Sequence, residues 1–154
     1  MFQRILCGSD FSDTAEAAWD VACGMARTHR AELILLHVFS EMSSYPDVAV
    51  AEVQRVWEAQ RLWVQQALDQ RVAAAQARGL DAHPLLKTGV AAETIADTAA
   101  EKGADLLVIG THGRTGLTRL VIGSVAERVL RLAPCPVLIV KPRAAAASAA
   151  ARAA

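Results

Sequence analysis

The chain has 154 residues and a mass of 16.4 kDa, enough for one ordinary domain and too little for two. Sixteen Lys and Arg balance sixteen Asp and Glu, so the formal charge is zero, the pI is about 6.9, and no global field draws the protein to nucleic acid or to an anionic membrane. With 53% hydrophobic and 21% charged residues, the composition suits a buried core and excludes a disordered polypeptide.

The N-terminal stretch from Met1 to Asp10 holds only a brief apolar run, too short for a signal-peptide core. No window nears the roughly 18 unbroken apolar residues of a spanning helix. A cytoplasmic protein without a membrane partner is therefore expected. Ile5-Leu6-Cys7 reads as a first strand, and Ala15, Ala18, Trp19, Ala22 and Ala26 form one helical face behind a Ser12 N-cap. Leu33 to Val38 is a second strand. A long helix follows from about Val50 to Arg78, with Val53, Val56, Trp57, Val64, Ala67, Leu68, Val72 and Ala75 inward and Gly79 as its C-terminal stop.

The weaker run His83-Pro84-Leu85-Leu86 suits an edge strand, because Pro84 cannot donate to a ladder. A short helix over Ala91 to Lys102, with Ile95, Ala96 and Ala99 inward, ends at Gly103. Leu106 to Ile109 is a further strand. A fourth helix ending near Leu132 presents Leu120, Val121, Val125, Val129 and Leu132, and Val137 to Val140 closes the set. Four of the five runs are near-continuous rather than alternating, the pattern of strands buried on both faces of a parallel sheet. Alternation with helices predicts an α/β sandwich whose ligands bind beyond the carboxyl ends of the strands. If Val137 to Val140 is also an edge, it is a surface for pairing with a second chain. Ala144 to Ala154 is an Ala-rich stretch with no face to dock, read as a flexible tail that leaves a working domain of residues 1–143.

After Ile109 the sequence runs Gly110-Thr111-His112-Gly113-Arg114-Thr115-Gly116-Leu117-Thr118-Arg119-Leu120-Val121-Ile122-Gly123-Ser124-Val125. Glycines let backbone N–H groups approach an anion, and Gly123-Ser124 opens a helix whose free N–H groups and dipole favour phosphate. Arg114, Arg119, Arg128 and Arg131 face one acid, Glu127, between Gly110 and Arg131. Arg114 and Arg119 suit a ligand; Arg128 and Arg131 suit a solvated helix face. Charge-assisted hydrogen bonds of roughly 1.5–3 kcal/mol each would support micromolar affinity, about 8 kcal/mol, after ordering costs. Neither G-x-x-x-x-G-K-[ST] nor G-x-G-x-x-G is present, which argues against a P-loop ATPase and a standard dinucleotide-binding enzyme.

The spacing Gly110-x2-Gly113-x9-Gly123-Ser124 resembles the ATP-binding signature G-2x-G-9x-G-[ST] of the universal stress protein family, UspA-like members included. Ile5 to Asp10, Leu33 to Val38 and Pro134-Cys135-Pro136-Val137-Leu138-Ile139-Val140 resemble that family's first, second and last strands, so the likeness covers about Met1 to Arg143. It implies an open five-stranded parallel sheet of order 3-2-1-4-5 with helices on both faces, a Rossmann-like fold. It also implies a homodimer through Val137 to Val140, bound ATP, and a stress-response or signalling role toward a protein partner. Gly8, Ser9 and Asp10 would line the nucleotide side of the first loop, and Val38 would set its backbone against adenine. Ile109 and Gly110 would adjoin the ribose, while Gly113, Gly123, Ser124 and Val125 cradle phosphates. Asp10 has two readings, a cap for the first helical region or a ligand of a ribose hydroxyl or a phosphate-bound Mg²⁺. Where family members carry Pro and Thr before this Asp, the chain has Gly8 and Ser9.

No catalytic residue is assigned. There is no G-x-S-x-G elbow, and Ser9, Ser12 and Ser124 have no assignable base. The four histidines lack metal-ligand spacing; His112 suits a phosphate donor or a turn, His37 a polar cap on buried structure, and His29 and His83 have no visible partner in the sequence. Cys7, Cys23 and Cys135 are expected as buried, inert thiols. The expected function is an ATP-binding, dimeric stress-response module with little or slow hydrolysis. Its alternatives are a nucleotide-independent dimeric adaptor and an ATP-cleaving enzyme of the same superfamily. Against the latter, Gly8-Ser9-Asp10-Phe11-Ser12 departs from the S-G-G-x-D-S loop of adenylating relatives.

Overall fold

A computed structural model describes residues 1–40, 50–111 and 122–141. The elements are β1 (Arg4–Gly8), α1 (Asp13–His29), β2 (Glu32–Phe39), α2 (Val50–Gln76), β3 (Ala82–Thr88), α3 (Ala91–Lys102), β4 (Leu106–Gly110), α4 (Ser124–Leu132) and β5 (Val137–Val140). The strands form one parallel sheet of order β3-β2-β1-β4-β5. Residues 112–121 and the Ala-rich stretch 144–154 lie outside the described residues.

The continuous apolar runs have a direct structural cause, since each central strand buries both faces. Along β1, Ile5 and Cys7 join the layer built by α1 and α2, with Trp19, Leu33, Leu35, Leu68 and Val108. Leu6, between them, points into the opposite layer with Ile34, Leu36, Ile95, Leu107 and Val129. Pro84 sits in β3, which among the described residues has β2 as its single strand neighbour, so the missing N–H falls on an edge as the sequence requires. Ser12 caps α1, its hydroxyl accepting from the Ala15 N–H at 3.3 Å. Gly103 closes α3 in the left-handed region, φ 62°.

Two helices depart from the sequence expectation. Val56 of α2 is 64% exposed and Trp57 only half-buried, whereas Val64, Leu68 and Val72 are buried. A 27-residue helix is about 40 Å long, while the eight-residue strand β2 spans roughly 26 Å, so the first turns of α2 overhang the sheet. In α4 the inward residues are Ala126 and Val129, and the expected Val125 and Leu132 are each 45% exposed. The helix lies at the sheet edge, where β5 offers too little surface to cover a wider face; all four residues of β5 are themselves only half-buried. Leu120 and Val121 fall outside the described residues.

Cys7 and Cys23 are buried, and burial pushes both thiols up, Cys23 to about 11. Both stay protonated at neutral pH and are poor nucleophiles. Cys135 differs from the expectation in being half-buried, because it precedes an edge strand. His29 and His83 also gain partners. His29 Nδ1 accepts from the Phe2 N–H at 3.4 Å, and His83 Nε2 lies 3.0 Å from Asp81 Oδ1.

Candidate functional site

Between β1 and β4 the chain reverses its direction of travel across the sheet, since β1 leads out toward β2 and β3 while β4 leads toward β5. Loops leaving adjacent strands at such a point part to opposite faces and leave a crevice. A cleft of about 200 Å³ lies there. Its base is Gly8 at the end of β1 with Ser9 and Asp10 just after it, Val38 in β2, and Ile109 and Gly110 in β4; Gly123, Ser124 and Val125 form the rim at the start of α4. These are nine of the sequence-predicted site residues, brought together from four elements and their loops. The other two, Gly113 and Arg114, lie outside the described residues, as do Arg119 and His112.

Hydrogen bonds fix this convergence. The Ser9 N–H donates to the Leu36 carbonyl at 2.8 Å, tying the end of β1 to β2. Thr111, 1% exposed, donates its N–H to the Val140 carbonyl at 3.0 Å and accepts from the Gly123 N–H at 2.7 Å. The two described ends of the glycine-rich segment therefore meet, which sets the first turn of α4 beside the end of β4. Gly110 allows a close approach of a different kind: a Cβ there would stand 2.8 Å from the Thr14 carbonyl carbon and 2.9 Å from its oxygen. Only glycine lets β4 end directly against the first turn of α1.

The helix termini at the cleft differ in electrostatic character. Ser12 satisfies the start of α1, and Asp13 and Glu16 add negative charge to its first turn. By contrast, the N-caps of α4 and α3, Gly123 and Val90, offer no side-chain hydrogen bond. Gly123, Ser124, Val125 and, from α3, Ala91 line the cleft. Unsatisfied N–H groups and the positive dipole ends of helices suit an anion, while Leu36, Val38, Ile95 and Ile109 supply an apolar wall. Arg128 pairs with Glu93 across α3 and α4, and Arg131 with Glu127 one turn back at 2.5 Å, so both arginines are engaged on the helix surface.

Asp10 Oδ1 accepts from the Ser12 N–H at 3.0 Å and from the Ser12 hydroxyl at 2.5 Å. One carboxylate oxygen thus braces the start of α1, while the residue also lines the cleft. Its neighbour Phe11 has φ 62°, a left-handed conformation that costs a bulky residue roughly 1–2 kcal/mol. Its ring stacks on His37 with centroids 4.9 Å apart and planes 14° from parallel, and the Arg71 guanidinium lies 4.7 Å from its centroid. Such contacts contribute about 0.5–1.5 kcal/mol for the aromatic pair and ~0.5–2 kcal/mol for the cation, enough to offset the strain. The His37 Nδ1 stands 2.8 Å from the Ser9 carbonyl, which can only accept, so Nδ1 carries the proton.

Sequence reasoning did not assign Ala91, Ile95, Thr111 or His37 to the cleft, though all four line it. Ile95 and Ala91 come from a helix whose position no local pattern reveals, and Thr111 stands within the glycine segment itself. Among the described residues no group of three His, Cys, Asp or Glu could hold a metal ion, and no helix is long and apolar enough to cross a membrane.

Residues 1–141 match the sequence model of the universal stress protein family. The chain is 35% identical over 141 residues to Universal stress protein MJ0531 of Methanocaldococcus jannaschii, covering 92% of this chain and 83% of that protein. Universal stress protein UspA from Lactobacillus plantarum superposes with a TM-score of 0.81 at 26% identity, over 90% of this chain and 97% of that one. A universal stress protein solved in complex with cAMP superposes at 0.68 with 26% identity, over 92% and 98%. With its predicted strand order realised and its whole described length matched, the chain belongs to the universal stress protein family.

Proposed function

We propose that the cleft between β1 and β4 binds ATP and that the protein is a dimeric, nucleotide-dependent stress-response module rather than an efficient enzyme. The observation that carries the reading is the Gly123–Thr111 hydrogen bond, which holds the uncapped start of α4 against an apolar crevice at the ends of β1 and β4. A base and sugar suit the apolar part. At about 200 Å³ the crevice is smaller than the roughly 300–1,000 Å³ of sites that enclose drug-sized ligands, so the phosphates belong at the Gly123-Ser124 rim with Gly113 and Arg114. Binding of cAMP by a relative supports an adenine ligand, and the complete glycine signature favours the triphosphate.

Among the described residues a Mg²⁺ site built from protein alone does not fit, because Asp10 is the single carboxylate lining the cleft and bonds Ser12 through Oδ1. For a phosphate-bound ion, Asp10 at the cleft would be one hard oxygen ligand, and the ion would supply charge neutralisation. Asp10 and His37 are the titratable side chains described at the cleft, and both take part in holding the Ser9–Ser12 loop, which favours a binding role over rapid hydrolysis.

Equilibrium titration with a fluorescent ATP analogue, with cAMP and AMP as competitors, tests the site. Saturation in the micromolar range is expected, with ATP the strongest competitor and a loss of at least tenfold in affinity for Gly113→Val combined with Ser124→Ala. Undiminished binding by that double variant would reject the phosphate assignment.

Self-association rests on β5, whose outer edge has no strand neighbour among the described residues, and on the exposed apolar residues Ile122, Leu130 and Leu132 shortly before it in the chain. Light scattering at micromolar concentration should give twice the chain mass of 16.4 kDa. A single-chain mass would contradict pairing through Val137 to Val140.

A further inference from the structure

Phe11 occupies a strained conformation for which its neighbours supply a reason. Three parts of the fold meet at its ring, the β1–α1 loop that carries it, His37 from β2, and Trp63 and Arg71 from α2, and Glu16 of α1 is joined through Arg71. The Arg71 side chain is itself fixed, donating from Nε to Glu16 Oε1 at 2.7 Å and from Nη1 to the Ala67 carbonyl at 2.9 Å. His37 in turn bonds the Ser9 carbonyl, and the Phe11 N–H donates to Ser9 Oγ at 3.1 Å. The ring is thus held from the α2 side, while the backbone on either side of it places Ser9, Asp10 and Ser12. No described residue of α2 lines the cleft.

We infer that Phe11 is a positioning residue of the cleft, a latch by which Arg71 and His37 hold the Gly8–Ser12 loop in its ligand-ready form and by which α2 is coupled to ligand affinity. The inference rests on the nucleotide reading only for its second half. A latch made of side-chain contacts on a left-handed backbone has a definite signature. Removing the contacts frees the loop while the strands beneath it keep their hydrogen bonds.

The test is amide hydrogen exchange by mass spectrometry on the full chain, for wild type, Phe11→Gly, Arg71→Ala and Arg71→Lys, together with the dissociation constant for the fluorescent ATP analogue. Phe11→Gly removes the ring and permits the left-handed backbone but adds chain entropy, which Arg71→Ala does not; Arg71→Lys keeps the charge and loses the flat guanidinium. Exchange over Gly8–Ser12 should quicken at least tenfold in Phe11→Gly and Arg71→Ala, with β4 amides unchanged and the dissociation constant raised about five- to tenfold. Arg71→Lys should fall between these and wild type. Wild-type exchange in the loop of both variants would overturn the latch, as would equal acceleration in the loop and in β4, which marks a contribution to global stability alone. A freed loop with unchanged affinity would overturn the coupling of α2 to the ligand. A freed loop in a protein whose wild type binds no nucleotide would uphold the latch and reject the nucleotide reading.

Discussion

Replacing Gly110 by Ala is expected to cost about 3 kcal/mol of stability, a fall in thermal midpoint of roughly 6–12 °C for a chain of this length. A Cβ at this position would lie 2.8 Å from Thr14 C, 2.8 Å from Thr14 Oγ1 and 2.9 Å from Thr14 O. Two of these atoms are backbone in the first turn of α1 and cannot rotate away, so either α1 lifts from the sheet or β4 retreats. Both movements open the cleft, so ligand affinity should fall with stability. The same substitution at Gly24 has the opposite sign. A Cβ there meets nothing within 4 Å, the residue is an exposed interior position of α1, and Gly24→Ala should stabilise the protein by about 0.5–1 kcal/mol. Thermal denaturation of the two variants beside wild type checks the pair. Equal effects at both positions would show that the approach of β4 to Thr14 is not the constraint described.

Saturating ATP should raise the thermal midpoint by about 5–11 °C. A ligand that binds only the folded state adds RT ln(1 + [L]/Kd), roughly 2.7 kcal/mol at one hundred times the dissociation constant, and a domain of this size gains about 2–4 °C per kcal/mol. For micromolar affinity that concentration is a fraction of a millimolar, which separates the effect from ionic strength. The shift should shrink by more than half in the Gly113→Val, Ser124→Ala double variant at the same ATP concentration. Inorganic triphosphate, which lacks the base and sugar for the apolar wall of Leu36, Val38, Ile95 and Ile109, should give a much smaller shift. A rise of equal size with triphosphate would place the binding energy in charge alone and contradict the role given to that wall.

Much of this architecture is legible in the sequence because its signals are physical constraints rather than weak propensities. Strands buried on both faces must be apolar at every position, so Leu33 to Leu36 and Leu106 to Ile109 announce themselves without alternation. Pro84 identifies an edge, and Gly103 with φ 62° ends a helix where only a left-handed residue can. Gly8, Ser9, Asp10, Val38, Ile109, Gly110, Gly123, Ser124 and Val125 are distant along the chain, yet topology brings them to one crevice through the reversal between β1 and β4.

What escaped the sequence depends on tertiary geometry. A left-handed Phe11 carries no Gly or Asn signal, because the conformation is held by His37 and Arg71 rather than favoured by the residue itself. The overhang of α2 follows from comparing its length with that of a neighbouring strand, and no periodicity encodes that comparison. Exposure of Val125 and Leu132 reflects the sheet edge beside α4, where the apolar pattern alone suggested a wider buried face.

Isothermal titration of the full chain with ATP tests the central claim most directly, because it reads affinity and stoichiometry without a label. One site per chain is expected, with a dissociation constant in the micromolar range that weakens at least tenfold when Gly113→Val and Ser124→Ala are combined. No saturable heat up to millimolar ATP, in agreement with no thermal shift, would contradict a nucleotide site between β1 and β4.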